Sequence, residues 1–77
     1  PITLTAKETA LLEYLLIHPG ETISQARLIE HIWGEETDEF SNSVRVHIST
    51  LRRKLRAALG RDPIRTHIGA GYCLEEE

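Results

Sequence analysis

Apolar side chains recur along this 77-residue chain in three helical stripes and then in one strand-like run. Leu11, Leu12, Leu15 and Leu16 repeat at i, i+1, i+4 and i+5 and predict a first helix with one apolar face. Thr5-Ala6-Lys7-Glu8 marks its start as a capping box, in which the Thr5 hydroxyl accepts from the third helical amide and the Glu8 carboxylate reaches back to the cap. His18-Pro19-Gly20 ends it. A short extended piece, Glu21-Thr22-Ile23, leads to Ser24, the expected N-cap of a second helix. There Leu28, Ile29, Ile32 and Trp33 share a face, and Gly34 supplies a left-handed closing residue. Residues 35–41 form an acidic loop, longer than the turn of a simple helix-turn-helix. A third helix begins at Asn42 or Ser43 and runs to about Leu59, with Val44, Ile48, Leu51 and Leu55 as its core stripe. Ile64 to Ile68 is rich in β-branched residues, Gly69-Ala70-Gly71 makes a turn, and Tyr72-Cys73-Leu74 returns as the second strand of a hairpin. The order implies one α+β domain over residues 1–77, since this length has room for a single core.

The third helix is unusual on the side turned away from that core. At 100° per residue, Ile48, Leu51 and Leu55 lie within about 40° of Val44. Asn42, Val46, Ser49, Thr50 and Arg53 lie within about 60° of the opposite direction, with Arg45 and Arg56 on the flank. Guanidinium forks suit phosphate or guanine, short hydroxyls permit close approach, and a valine methyl can meet a thymine methyl. An Arg-rich helix is often only a solvated face, but solvated helices intersperse Glu with Lys at i, i+4. Here no acid occurs between Val44 and Leu59.

Net charge argues the other way until its distribution is considered. The chain carries −3 overall, which taken alone suits a protein-interaction module. Yet Arg45 to Arg65 holds seven basic residues against the single acid Asp62, while residues 1–44 hold eight carboxylates against Lys7 and Arg27, and Glu75-Glu76-Glu77 closes the chain. Such a split orients a polyanion before contact. The same composition bears on other function classes. His18, His31, His47 and His67 show no close ligand spacing and Cys73 stands alone, so no metal or cofactor is expected. Gly69-Ala70-Gly71 joins two strands and is no phosphate loop; no nucleophile elbow or carboxylate pair suggests an enzyme. No run of apolar residues approaches membrane-spanning length, the opening Pro1-Ile2-Thr3-Leu4 lacks the features of an export signal, and a lone cysteine suits a reducing compartment, so a cytoplasmic location is expected.

The residues filling this frame resemble the winged-helix effector domain of two-component response regulators of the OmpR/PhoB type. The resemblance is carried by Leu4-Thr5-Ala6-Lys7-Glu8 with Leu11-Leu12, His18-Pro19-Gly20, Ser24 with Leu28, Ile32-Trp33-Gly34, Ser41-Asn42-Ser43-Val44, Val46-His47-Ile48, Leu51-Arg52-Arg53-Lys54-Leu55, and Ile64-Arg65-Thr66 through Gly69-Ala70-Gly71-Tyr72. It implies a winged helix whose third helix enters the major groove of double-stranded DNA while the hairpin wing touches the adjacent minor groove. It further implies a transcription regulator controlled by phosphorylation of a receiver domain not present in this chain, pairing as a homodimer on tandem half-sites. By position, phosphate contacts are expected from Trp33, Ser43, His47, Arg52, Thr66 and Tyr72, and base contacts from Arg45, Val46, Ser49 and Thr50. The loop acids Glu35, Glu36, Asp38 and Glu39 would face RNA polymerase. Two departures stand out: Arg45 occupies a position usually acidic in the family, and Ile68 and Cys73 stand where the wing normally carries arginines. His67, Arg65 or Arg61 would then have to supply the wing's charge. The competing class is a winged-helix protein-interaction module.

Overall fold

The computed structural model describes residues 3–34 and 43–75. They form α1 (Ala6–Leu16), α2 (Gln25–Leu28) continued by a wider helical turn (Ile29–Trp33), α3 (Ser43–Leu59), β1 (Ile64–His67) and β2 (Gly71–Leu74). The acidic loop and Asn42 lie outside the described residues.

The capping box at the start of α1 forms as its residues dictate: Glu8 N donates to Thr5 Oγ1 at 3.2 Å, and Thr5 N donates to Glu8 Oε1 at 2.9 Å. Leu11 and Leu15 are fully buried, but the apolar face is narrower than its four leucines suggest. Leu12 is half-buried and Leu16 is 53% exposed. Each lies one position, about 100°, round the helix from the row that meets the core.

Ser24 caps α2 by accepting from Arg27 N at 3.1 Å. The expected regular second helix instead widens over Ile29–Trp33, where Gly34 N donates to Ile29 O, five residues back. Gly34 has the expected positive φ of 74°, but its ψ of −156° takes it out of the left-handed helical region. Carbonyls in a last helical turn lack amide partners; here Lys7 Nζ donates to Ile32 O at 2.9 Å and ties α1 to the turn.

The hairpin pairs antiparallel in the register Ile64↔Leu74, Arg65↔Cys73, Thr66↔Tyr72 and His67↔Gly71. Its three-residue turn is therefore shifted by one position from the sequence expectation: Ile68 belongs to the turn and Gly71 to β2. Ala70 N donates to His67 O at 2.9 Å across that turn. Ile23 joins the edge as a one-residue strand, exchanging hydrogen bonds with Tyr72 at 2.7 and 2.9 Å. The core gathers Leu11 and Leu15 of α1, Ile23, Leu28 of α2, Val44 and Leu51 of α3, and Ile64 of β1, all at 0% exposure. The whole predicted stripe of α3, Val44, Ile48, Leu51 and Leu55, is buried. Val46 faces out at 56%. With its inward side anchored to α1, α3 turns the flank that carries Arg45, Ser49, Arg52 and Arg56 toward the hairpin.

Candidate nucleic-acid interface

Between α3 and the hairpin lies a cleft of about 810 Å³. Arg45, Ser49, Arg52, Arg53 and Arg56 line one side and Thr66 to Tyr72 the other, with Ser24 and Gln25 at one end. Seven of the residues singled out from the sequence meet there: Arg45, Ser49, Arg52, Arg53, Thr66, His67 and Tyr72. Ile68 and the turn glycines join them from the wing, and Ser24 and Gln25 join without a local signal, because which segments face α3 depends on how distant elements pack rather than on local pattern.

The basic residues of this region divide into two groups. Arg52 braces α3 to the hairpin, donating through Nε to Asp62 Oδ2 and through Nη1 to Thr66 Oγ1, each at 2.7 Å. Arg56 reaches the same Asp62 oxygen at 3.4 Å, and Ile64 N donates to its Oδ1 at 3.1 Å. Partial burial pushes the Asp62 carboxyl up, and the hydrogen bonds from Arg52 and Ile64 with the charge of Arg52 outweigh it, leaving it below 3.8. Arg65 pairs with Glu75, and Lys54 turns away from the cleft to Glu8. Arg45 and Arg53 are exposed, with no ion-pair partner among the described residues. The acid-free helix is thus partly neutralised by acids from other elements, which a count along the segment does not reveal.

Because Arg52 is committed to Asp62 and Thr66, Arg52→Ala should lower stability by about 1 kcal/mol, the scale of a charge-assisted bond on a half-buried pair. Urea denaturation of the two proteins measures it. Arg53→Ala, on an exposed side chain, should leave stability within about 0.5 kcal/mol of the parent.

The other residues singled out from the sequence lie outside the cleft. Val46 is exposed on the outward face, whereas Thr50 is half-buried and less outward than its wheel position implies. Trp33, Ser43 and His47 form a patch of their own. The Lys7 ammonium sits 5.2 Å over the Trp33 ring, and the His47 ring meets Trp33 edge-on with centroids 5.2 Å apart. His47 Nδ1 lies 2.7 Å from Ser43 O. A carbonyl only accepts, so Nδ1 carries the proton and Nε2 becomes a donor only when the ring holds a second one. Tyr72 lines the cleft while remaining 8% exposed. Cys73 is 6% exposed and donates to Leu74 O at 3.8 Å, so it is not on the wing surface, whereas Ile68 is 98% exposed.

Residues 1–74 match the family described as "Transcriptional regulatory protein, C terminal". The chain is 38% identical to the two-component response regulator PhoP of Pseudomonas aeruginosa over 76 residues, covering 99% of this chain and 34% of that protein. It is 43% identical over 76 residues to the transcriptional regulatory protein CreB of Escherichia coli K12, covering 96% of this chain and 33% of that one. The chain therefore spans about a third of the length of the curated relatives it matches. Among solved structures, the DNA-binding domain of CpxR from E. coli superposes with a TM-score of 0.82 at 33% identity, covering 97% of this chain and 74% of that one. The Klebsiella pneumoniae RstA DNA-binding domain in complex with the RstA box gives 0.82 at 28% identity, covering 96% and 74%.

Proposed function

Since the chain belongs to the family of carboxy-terminal domains of transcriptional regulatory proteins, we propose that it binds double-stranded DNA sequence-specifically as the effector domain of a two-component response regulator. It is a winged helix, and its family is not enzymatic. The observation that carries the reading is the cleft whose α3 wall presents Arg45, Arg52, Arg53 and Arg56 beside a projecting hairpin. An α-helix fits a major groove about 12 Å wide. With α3 laid there, one sugar-phosphate strand occupies the cleft and the hairpin meets the neighbouring minor groove.

In this reading Arg52, Arg53 and Arg56, with Thr66 and His67, hold phosphates, and Trp33, Ser43, His47 and Tyr72 bound the same strand. Val46, Ser49 and Thr50, with Arg45, face base edges. Asn42 and the acids Glu35, Glu36, Asp38 and Glu39, the last as a contact for RNA polymerase, belong to the proposal by sequence position alone. So do pairing on tandem half-sites under control of a receiver domain, and a cytoplasmic location. No helix among the described residues is long and apolar enough to cross a membrane.

A salt titration tests the reading. With four or five phosphates contacted, the affinity of the 77-residue chain for duplexes selected from a random pool should fall with a log–log slope of about −4. Arg53→Ala should make that slope shallower by about 1, whereas Arg45→Ala should relax the base preference. Absence of binding at low salt would overturn the proposal in favour of a protein-interaction module.

A further inference from the structure

Ile68 is the most exposed large hydrophobic among the described residues, at 98%. The turn that carries it is well defined. Ala70 N bonds back to His67 O, Gly69 has φ +82°, and Ile68 itself has a negative φ, which together make a type II turn with Ile68 at its second position. Beyond it come Gly69, Ala70 and Gly71, so the tip of the hairpin is a slim apolar ridge that carries no charge. This ridge belongs to the wall of the cleft that faces Arg45, Arg52, Arg53 and Arg56.

These features fit one feature of a duplex. If a sugar-phosphate strand fills the cationic cleft, the groove on the hairpin's side of that strand is the minor groove, about 6 Å wide. Ile68 stands 98% clear of a turn whose following residues carry only hydrogen or methyl, so its side chain can reach into that groove without the two strands entering it. We propose that Ile68 is a specificity-determining residue, an apolar wedge that enters the minor groove and favours A·T over G·C at the base step it covers. The proposal rests on the duplex-binding reading given above.

The preference follows from what isoleucine lacks. In the minor groove a G·C pair differs from A·T by the guanine N2 amino group, which projects from the groove floor. An isoleucine side chain offers that amino group no acceptor and keeps water from it, whereas an A·T floor leaves room for the side chain. Apolar side chains inserted at this groove also unstack and bend the duplex, and pyrimidine–purine A·T steps yield most readily. The contact adds no charge, so it alters recognition without altering the salt slope.

The test compares the 77-residue chain with Ile68→Ala and Ile68→Arg on duplexes carrying one half-site or two. The side chain is 98% exposed, so all three should give the same melting temperature. On one half-site, Ile68→Ala should bind about fivefold more weakly with an unchanged salt slope. In sites selected from a random pool, the A·T preference under the wing should drop to near parity. Ile68→Arg should steepen the slope by about 1. If the parent binds duplex DNA but Ile68→Ala leaves affinity and consensus unchanged, this proposal is overturned and the duplex-binding reading stands. A loss of cooperativity on two half-sites, without an effect on one, would overturn it in favour of a contact with a second copy of the chain. Failure of the parent to bind any duplex would overturn both.

Discussion

Gly71→Ala is expected to destabilise the domain by about 3 kcal/mol and to abolish duplex binding at concentrations that saturate the parent. Gly71 has φ +145°, and a Cβ built on it would lie 2.0 Å from Ile23 O and 2.8 Å from Ser24 Cα. Those are backbone atoms, so no side-chain rotation relieves the clash. The backbone must part where Ile23 and Tyr72 exchange their two hydrogen bonds, the link that fastens the hairpin to the start of α2. The hairpin is one wall of the cleft, so its displacement removes the wing from the position it needs to meet DNA beside α3. Gly69→Ala provides the comparison: φ is +82° there, but nothing lies within 4 Å of the added methyl. It should cost about 1 kcal/mol of backbone strain and leave binding within about threefold of the parent. Against a total stability of roughly 4–12 kcal/mol for a domain of this size, the first substitution is severe and the second tolerable. Urea denaturation and duplex binding read both. Equal stability for the two variants would mean that the Ile23–Gly71 approach is not rigid.

The contrast between these glycines indicates what the sequence made legible. Gly69-Ala70-Gly71 signals a turn because glycine tolerates positive φ, but the string does not say which glycine supplies the turn and which presses against another segment. Local signals read correctly where their physics is local. The Thr5–Glu8 capping box, the Ser24 cap and the α3 stripe all join residues within a few turns of one another, and each is found in place. The misreadings arose where a distant element decides: Leu16 exposed beside buried Leu15, and the second helix widened over Ile29–Trp33. The candidate interface divides in the same way. Val46 and Arg53 face outward as the 3.6-residue period requires, while Thr50 is half-buried. The cationic strip is smaller than its seven basic residues suggest, because Asp62, Glu8 and Glu75 reach Arg52, Arg56, Lys54 and Arg65 from other parts of the fold. No scan of α3 alone reveals those carboxylates.

The Glu8–Lys54 pair should make the domain's stability depend on pH in a way that identifies its charge. Glu8 Oε1 accepts from Lys54 Nζ at 2.6 Å and from Thr5 N, and the residue is 3% exposed, whereas the Lys54 side chain is 31% exposed. Removing either partner therefore has unequal effects. In Glu8→Ala, Lys54 keeps Thr3 O, 2.9 Å away, and can extend into water, so the cost is the capping box and the pair, about 2 kcal/mol. In Lys54→Ala a buried carboxylate loses its cation, and about 3 kcal/mol is expected at pH 7. The hydrogen bond from Lys54, then that from the Thr5 amide, hold the Glu8 carboxyl below 4.5 against its burial. A folded-state value below the unfolded one gives a contribution fully present above the unfolded value and lost as pH falls through the folded one. The parent should therefore lose this contribution below about pH 4.5. In Lys54→Ala burial acts alone against the remaining Thr5 bonds, the carboxyl takes its proton sooner, and the deficit relative to the parent should shrink on acidification from pH 7 to pH 4. Urea denaturation at both pH values measures that difference. A deficit that stays constant across the range would mean that Lys54 stabilises the α1–α3 contact by packing rather than by charge.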